Sequence, residues 1–172
     1  MQLDRAGRFK ARPMSHSVKQ ASKTASIGVN FDFLILAEWD TRADEEGKVV
    51  TQWWDVAAEL SIYGDLWIIG KEGVILERSK QTLIDVFKWD GNFASLAEGG
   101  SFRPVLHECS ITVEPEVYNN QTRYKVAWIN SVDGVPGGKR LGAVDLAALD
   151  AKFNPGAAPV APPAVDPAEI PF

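Results

Sequence analysis

The chain has 172 residues, 45% of them hydrophobic and 10% aromatic, with six tryptophans and a formal net charge of −5. This length and composition suit one folded domain of ordinary size. No apolar run approaches the ~20 residues of a membrane span and no secretory leader follows Met1, while the lone Cys109 excludes an internal disulfide and fits a reducing cytoplasm.

The charge is unevenly spread. Residues 1–31 carry Arg5, Arg8, Lys10, Arg12, Lys19 and Lys23 against Asp4 and, the remainder being acidic, this suits either a localised binding groove or an ordinary solvated face. Taken alone, the pattern favours the solvated face.

Gly7 to Gln20 reads as a strand, with Phe9 and Ala11 alternating against Arg8, Lys10 and Arg12, and Pro13 marking an edge or a bulge. Ala21 to Ala25 is a polar loop. Ser26 to Trp39 is the clearest strand: Val29, Phe31, Phe33, Ile35, Ala37 and Trp39 share one face, and Leu34 and Leu36 suggest burial on both sides. Asp40 to Lys48 is a charged turn and Val49 to Trp54 a short strand. Asp55 to Leu60 admits a helical turn, and Ser61 to Ile69 is a further strand segment.

Leu76, Leu83, Ile84 and Phe87 repeat at helical spacing, with Gly91 near the stop. Phe93 to Leu96 adds a short helical turn. Val105 to Glu114 is a strand ended by Pro115, and Tyr118 to Gln121 is a hairpin turn, since Asn tolerates positive φ. Thr122 to Asn130 returns with Tyr124, Val126 and Trp128 on one face. Ser131 to Arg140 is a Gly/Pro loop, and Val144 to Phe153 reads as a second, peripheral helix. The run 154–172 is Pro/Ala-rich with no hydrophobic period, the signature of a disordered, semi-rigid spacer. It leads to Asp166 and Glu169-Ile170-Pro171-Phe172, an acidic, hydrophobic tip. The expected organisation is a folded domain over 1–153 and a tail over 154–172.

The Ile170-Pro171-Phe172 tip resembles that of bacterial single-stranded DNA-binding proteins, although only Asp166 and Glu169 stand in for their acidic run. The order strand, strand, strand, helix, strand, strand resembles their OB-fold, a five-stranded barrel with one helix between the third and fourth strands. The helix stop from Lys80 to Gly91 and the hairpin from Cys109 to Asn130 are similar to the small single-stranded DNA-binding proteins of phage replication and recombination clusters. The resemblance implies a mainly β (α+β) fold and single-stranded DNA as ligand. It also implies that Asp166, Glu169, Ile170, Pro171 and Phe172 dock replication or recombination proteins. It implies a non-enzyme of the cytoplasm, or of the host cytoplasm if phage-encoded, with no cofactor and no membrane partner. It leaves a homo-oligomer open.

Single-strand binders pair cations for the phosphates with aromatic faces for the bases. The candidates are Lys10, Arg12, Lys19 and Lys23 near the first strand and loop, and Tyr118, Arg123 and Lys125 at the last hairpin. Phe31, Trp53, Trp54 and Tyr63 lie on the second and third strands. Phe31, Phe33 and Trp128 read equally as core, and that assignment is preferred. The period of two puts Trp53 and Trp54 on opposite faces, so one of them is the best stacking candidate. His16, His107 and Cys109 make no zinc spacing. Asp32, Glu38 and Asp40 suit a metal-dependent nuclease poorly, since Asp32 and Glu38 are the only two expected on one face. A different class, a phage adaptor or structural protein whose barrel binds protein, is the alternative.

Overall fold

The alternation of apolar and cationic residues from Gly7 onward does build a strand, β1 (Gly7–Gln20), which lies at the centre of the sheet in this computed structural model. The structure describes residues 1–133 and, beyond them, Ala147, Ala148, Ala151 and Lys152. β1, β2 (Ile27–Ala43), β3 (Val49–Ile69), β4 (Cys109–Tyr118) and β5 (Gln121–Ser131) form one antiparallel sheet in the order β3-β2-β1-β4-β5. An α-helix, α1 (Glu77–Phe87), follows β3, and 3-10 turns at Phe93–Leu96 and Pro104–Leu106 lead into β4. The chain divides into two units, Met1–Gly134 and Val135–Phe172, and all these elements belong to the first. The four described residues of the expected helix Val144–Phe153 are helical, and the rest of that segment, like the whole tail 154–172, lies outside the described residues. No helix among the described residues is long and apolar enough to cross a membrane.

β1 is bent. It pairs with β2 along its length, but with β4 only from Gly7 to Ala11, and its register shifts between Pro13 and Ser15. Pro13, which has no N–H to donate, falls just past the last β4 partner, where none is demanded. The inner face of the sheet buries Phe9, Phe31, Phe33, Ile62 and Ile111, and α1 closes over it with Leu83 and Phe87. The Phe31 ring lies 5.4 Å from Phe33 and 5.0 Å from Phe87, and burying such a ring contributes ~1.5–3 kcal/mol. β3 and β5 end the ladder, and Gly64 of β3 lies against the Val126 side chain of β5. A Cβ on Gly64 would stand 2.9 Å from the Val126 side chain and 3.0 Å from the Phe33 ring, so only glycine fits there without displacing them.

Several boundaries differ from the sequence reading. Asp55 to Leu60 continues β3 rather than forming a helical turn; between Asp55 and Leu60 that strand carries more residues than its β2 partner Ile35–Ala37, so the excess bulges out of the ladder. Asp40 to Ala43 extend β2, because Asp40 to Ala43 find partners in Val49 to Gln52. Pro115 does not end β4, since beyond Val113 that strand has lost β1 and pairs only with β5. Residues 104–106 are a 3-10 turn, and β4 starts at Cys109. α1 stops three residues before Gly91: Lys88 takes the left-handed conformation (φ 57°), its N–H reaching the Ile84 carbonyl and that of Trp89 the Leu83 carbonyl.

Two hairpins outrun β1. Past Glu38, β2 pairs only with β3, and past Val113, β4 pairs only with β5. Both extensions lie beyond the N-terminal end of β1, one on each side of it.

Candidate nucleic-acid interface

Pairing across β1, β2 and β3 sets the outer face of the sheet row by row. Arg12 lies opposite Leu34 and then Ser61; Ser15 opposite Asp32 and then Tyr63; Ser17 opposite Asn30 and then Asp65; Lys19 opposite Gly28 and then Trp67. Directly opposed residues share a face, so the β1 side of this surface is cationic and the β3 side aromatic. Tyr63 is 62% exposed. Gly28 serves a close approach: a Cβ there would meet the Trp67 ring at 3.0 Å, so the bare backbone lets that ring lie across β2 toward the Lys19 ammonium, 5.4 Å from the ring centre.

At the other end of the face, β2 changes phase. Its register with both neighbours slips at Leu36, and from there Glu38 opposes the core residue Phe9. Trp39, expected in the core by simple alternation, is thereby turned outward and is 39% exposed. It packs edge-on against Trp53 at 5.2 Å, and the Arg8 guanidinium lies over both rings, 5.5 Å from Trp39 and 5.1 Å from Trp53. Arg8 Nε also donates to Ser110 Oγ at 2.9 Å, and partial burial draws its pKa down.

The same phase change sends Trp54 to the opposite side. It opposes Glu38, donates its indole N–H to the Asp40 carbonyl at 3.1 Å and lies under Arg42. Glu38 is gripped by Arg5 (2.9 Å) and Arg42 (2.7 Å), and these hydrogen bonds, that of Arg5 first, hold its carboxyl below the usual range. Asp32 and Glu38 consequently lie on opposite faces, which removes the shared-face carboxylates considered for a nuclease.

The other sequence candidates separate. Phe31 is 0% exposed and belongs to the core: it alternates in phase with Val29 and Phe33, and no base can reach it. Trp128, expected inside, is 48% exposed, because the register of β4 with β5 shifts between Thr112 and Val113 and splits it from Val126; the Arg78 guanidinium of α1 covers it at 4.4 Å. Lys23 is exposed in the loop between β1 and β2. Tyr118, Arg123 and Lys125 ride on the extension of the β4–β5 hairpin, Arg123 over the Tyr118 ring at 5.0 Å and Lys125 paired with Glu116 at 2.6 Å. The tip residues Asp166, Glu169, Ile170, Pro171 and Phe172 lie outside the described residues.

The cations of the face are themselves held. Glu108 bridges Lys10 (3.2 Å) and Arg12 (2.6 Å), and these hydrogen bonds, that of Arg12 first, keep its carboxyl below the usual range. Lys19 and the Asn30 amide both donate to Asp65 at 2.7 Å. Sequence reasoning missed Arg8, Trp39 and Trp67. A charge-and-aromatic count of the strand residues opposite the core pattern would have found Arg8 and Trp67; Trp39 carried no such signal, because only the register slip exposes it. Burial pushes the Cys109 thiol up and leaves it inert beneath β1, its Sγ donating to the Ala11 carbonyl at 3.6 Å. Among the described residues no group of three or more His, Cys, Asp or Glu could hold a metal ion.

No family model matches the chain, and no curated protein matches it.

Proposed function

We propose that this protein binds single-stranded DNA without catalysis and with little dependence on sequence, through the outer face of β1, β2 and β3. One observation carries the reading: Arg8, Lys10, Arg12 and Lys19 line one side of a continuous surface whose other side bears Trp53, Tyr63 and Trp67. Phosphates would follow the cations and bases would stack on the rings, each stack contributing ~1–3 kcal/mol. The strand order, the helix between β3 and β4 and the approach of Gly64 to Val126 support an OB-type barrel, whose ligands lie across this same face. The segment Asp166–Phe172 belongs to the reading as the contact for replication or recombination proteins of a bacterial or phage-infected cytoplasm.

A second reading, a protein-binding adaptor, is favoured by the exposed Val117 and Tyr118 on the β4–β5 hairpin and by the overall negative charge. Titration of a labelled poly-dT oligonucleotide at two salt concentrations separates the two. If about four phosphates are neutralised, log K falls against log salt with a slope of about −3. Absence of binding at low salt, or binding indifferent to salt, overturns the DNA reading and leaves the adaptor.

A further inference from the structure

We propose that Trp128 and Arg78 form a further nucleotide subsite, in which the Trp128 ring stacks a base and the Arg78 guanidinium holds a phosphate of the same single strand. The inference rests on the DNA-binding reading above and extends the path of the strand beyond β3, onto β5 and α1.

Pairing places Trp128 on the outer face. Arg8 opposes Thr112 and Thr112 opposes Trp128, so the three share the side of the sheet that carries the β1 cations. A groove of about 270 Å³ lies beside it, with Asp65, Leu66 and Trp67 of β3, Val126 and Trp128 of β5 and Arg78 of α1 in its lining. Trp67 also belongs to the face already described, so the groove begins where that face ends. With Arg78 4.4 Å from its ring centre, Trp128 is still 48% exposed, which leaves indole surface for a base.

Arg78 differs from the β1 cations in its partners. Lys10 and Arg12 are bound by Glu108, and Lys19 by Asp65. The exposed Arg78 has no carboxylate partner among the described residues, and its guanidinium rests on the Trp128 ring. Asp65, the one carboxylate in the lining of this groove, already accepts from Lys19 and the Asn30 amide. A phosphate arriving at Arg78 therefore has no acid to displace. A guanidinium stacked on a ring keeps N–H donors for phosphate oxygens, so it serves both contacts at once. Stacking on indole tolerates any base, because every base has a π-face. The subsite thus adds affinity and length without adding a sequence preference. Continuity with Trp67 favours nucleic acid over an acidic peptide, which the same pair of groups would also suit.

The test titrates labelled poly-dT with the full chain and with Trp128→Ala, Trp128→Phe and Arg78→Gln over a range of salt concentrations. Thermal unfolding of each variant checks that it is folded. Trp128→Ala should weaken binding about fivefold or more, and Trp128→Phe, which keeps an aromatic face, should recover most of that loss. Arg78→Gln should weaken binding and make the slope of log K against log salt shallower by about 0.7, the share of one phosphate on a single strand. Parental affinity in a folded Trp128→Ala protein overturns the inference and leaves the β1–β3 face as the whole DNA site. An unchanged salt slope in Arg78→Gln also overturns it, since the arginine then serves the fold or a protein partner. Should Trp128→Ala not fold, that slope decides alone. Failure of the parent to bind poly-dT sinks the underlying reading instead.

Discussion

Glu108 holds Arg12 at 2.6 Å, directly on the surface where a phosphate would have to sit. The same carboxylate reaches Lys10, so one acidic side chain occupies two of the four β1 cations. A nucleic acid binding here must displace it, and the ion pairs are about a third to two-fifths exposed, a setting in which each contributes ~0.2–1 kcal/mol. Glu108→Gln should therefore tighten poly-dT binding by up to about fivefold at low salt, with the gain shrinking as salt rises. Weaker binding by a folded Glu108→Gln protein would show that the bridge positions the cations rather than blocking them.

Trp53 and Trp54 should behave differently although they are adjacent. Trp53 stands on the outer platform with Trp39 and Arg8, whereas Trp54 lies on the other side with Glu38 and Arg42. Trp53→Ala should lower poly-dT affinity by ~1–3 kcal/mol. Trp54→Ala should leave affinity within a factor of about two and act on stability. Oligonucleotide titration together with urea unfolding of both variants measures the contrast. Equal losses of affinity would mean that the register slip at Leu36 does not set which ring meets DNA.

Acid should loosen the end of the sheet where Arg5, Glu38 and Arg42 meet. The Glu38 carboxyl is held below its ordinary range, so the folded state takes up its proton later than the unfolded state does. That contribution is fully present above the unfolded value of about 4.3 and is lost as pH falls through the lower folded value. The melting temperature should be flat from about pH 5 to 8 and fall below about pH 4. Glu38→Gln should lower the unfolding free energy at neutral pH by ~1 kcal/mol, given the partly exposed arginines, and shallow the acid limb of the melting curve. An acid limb identical in the variant would assign the loss to other carboxylates.

Gly64 of β3 lies against the Val126 side chain of β5, and it has no room for a side chain. Gly64→Ala would place a methyl group 2.9 Å from Val126 and 3.0 Å from Phe33, so the strands must separate. The expected cost is ~1–3 kcal/mol in urea unfolding, and pairing the change with Val126→Ala should recover part of it. No loss in the single variant would mean that β3 and β5 are free to move apart.

What the sequence determined by itself was the set of strands around the core and the placement of the helix. Phe9, Ala11, Val29, Phe31, Phe33, Ile111 and Val113 keep a strict period of two, and burial of one face leaves such a pattern a single register. Leu83 and Phe87 gave the helix by their spacing, and Asn119 and Asn120 took the positive φ expected of the last turn. The cationic side of β1 was legible for the same reason, because whatever alternates with core must face out. The tertiary structure decided which aromatics reach the surface. Trp39, Trp53 and Trp128 changed sides or were assigned a side through register slips at Leu36 and at Thr112/Val113, and a slip depends on which partner strand lies opposite. The ion pairs that occupy the β1 cations were also its work, since Glu108 and Asp65 come from segments far along the chain that only the folded sheet brings beside Arg12 and Lys19.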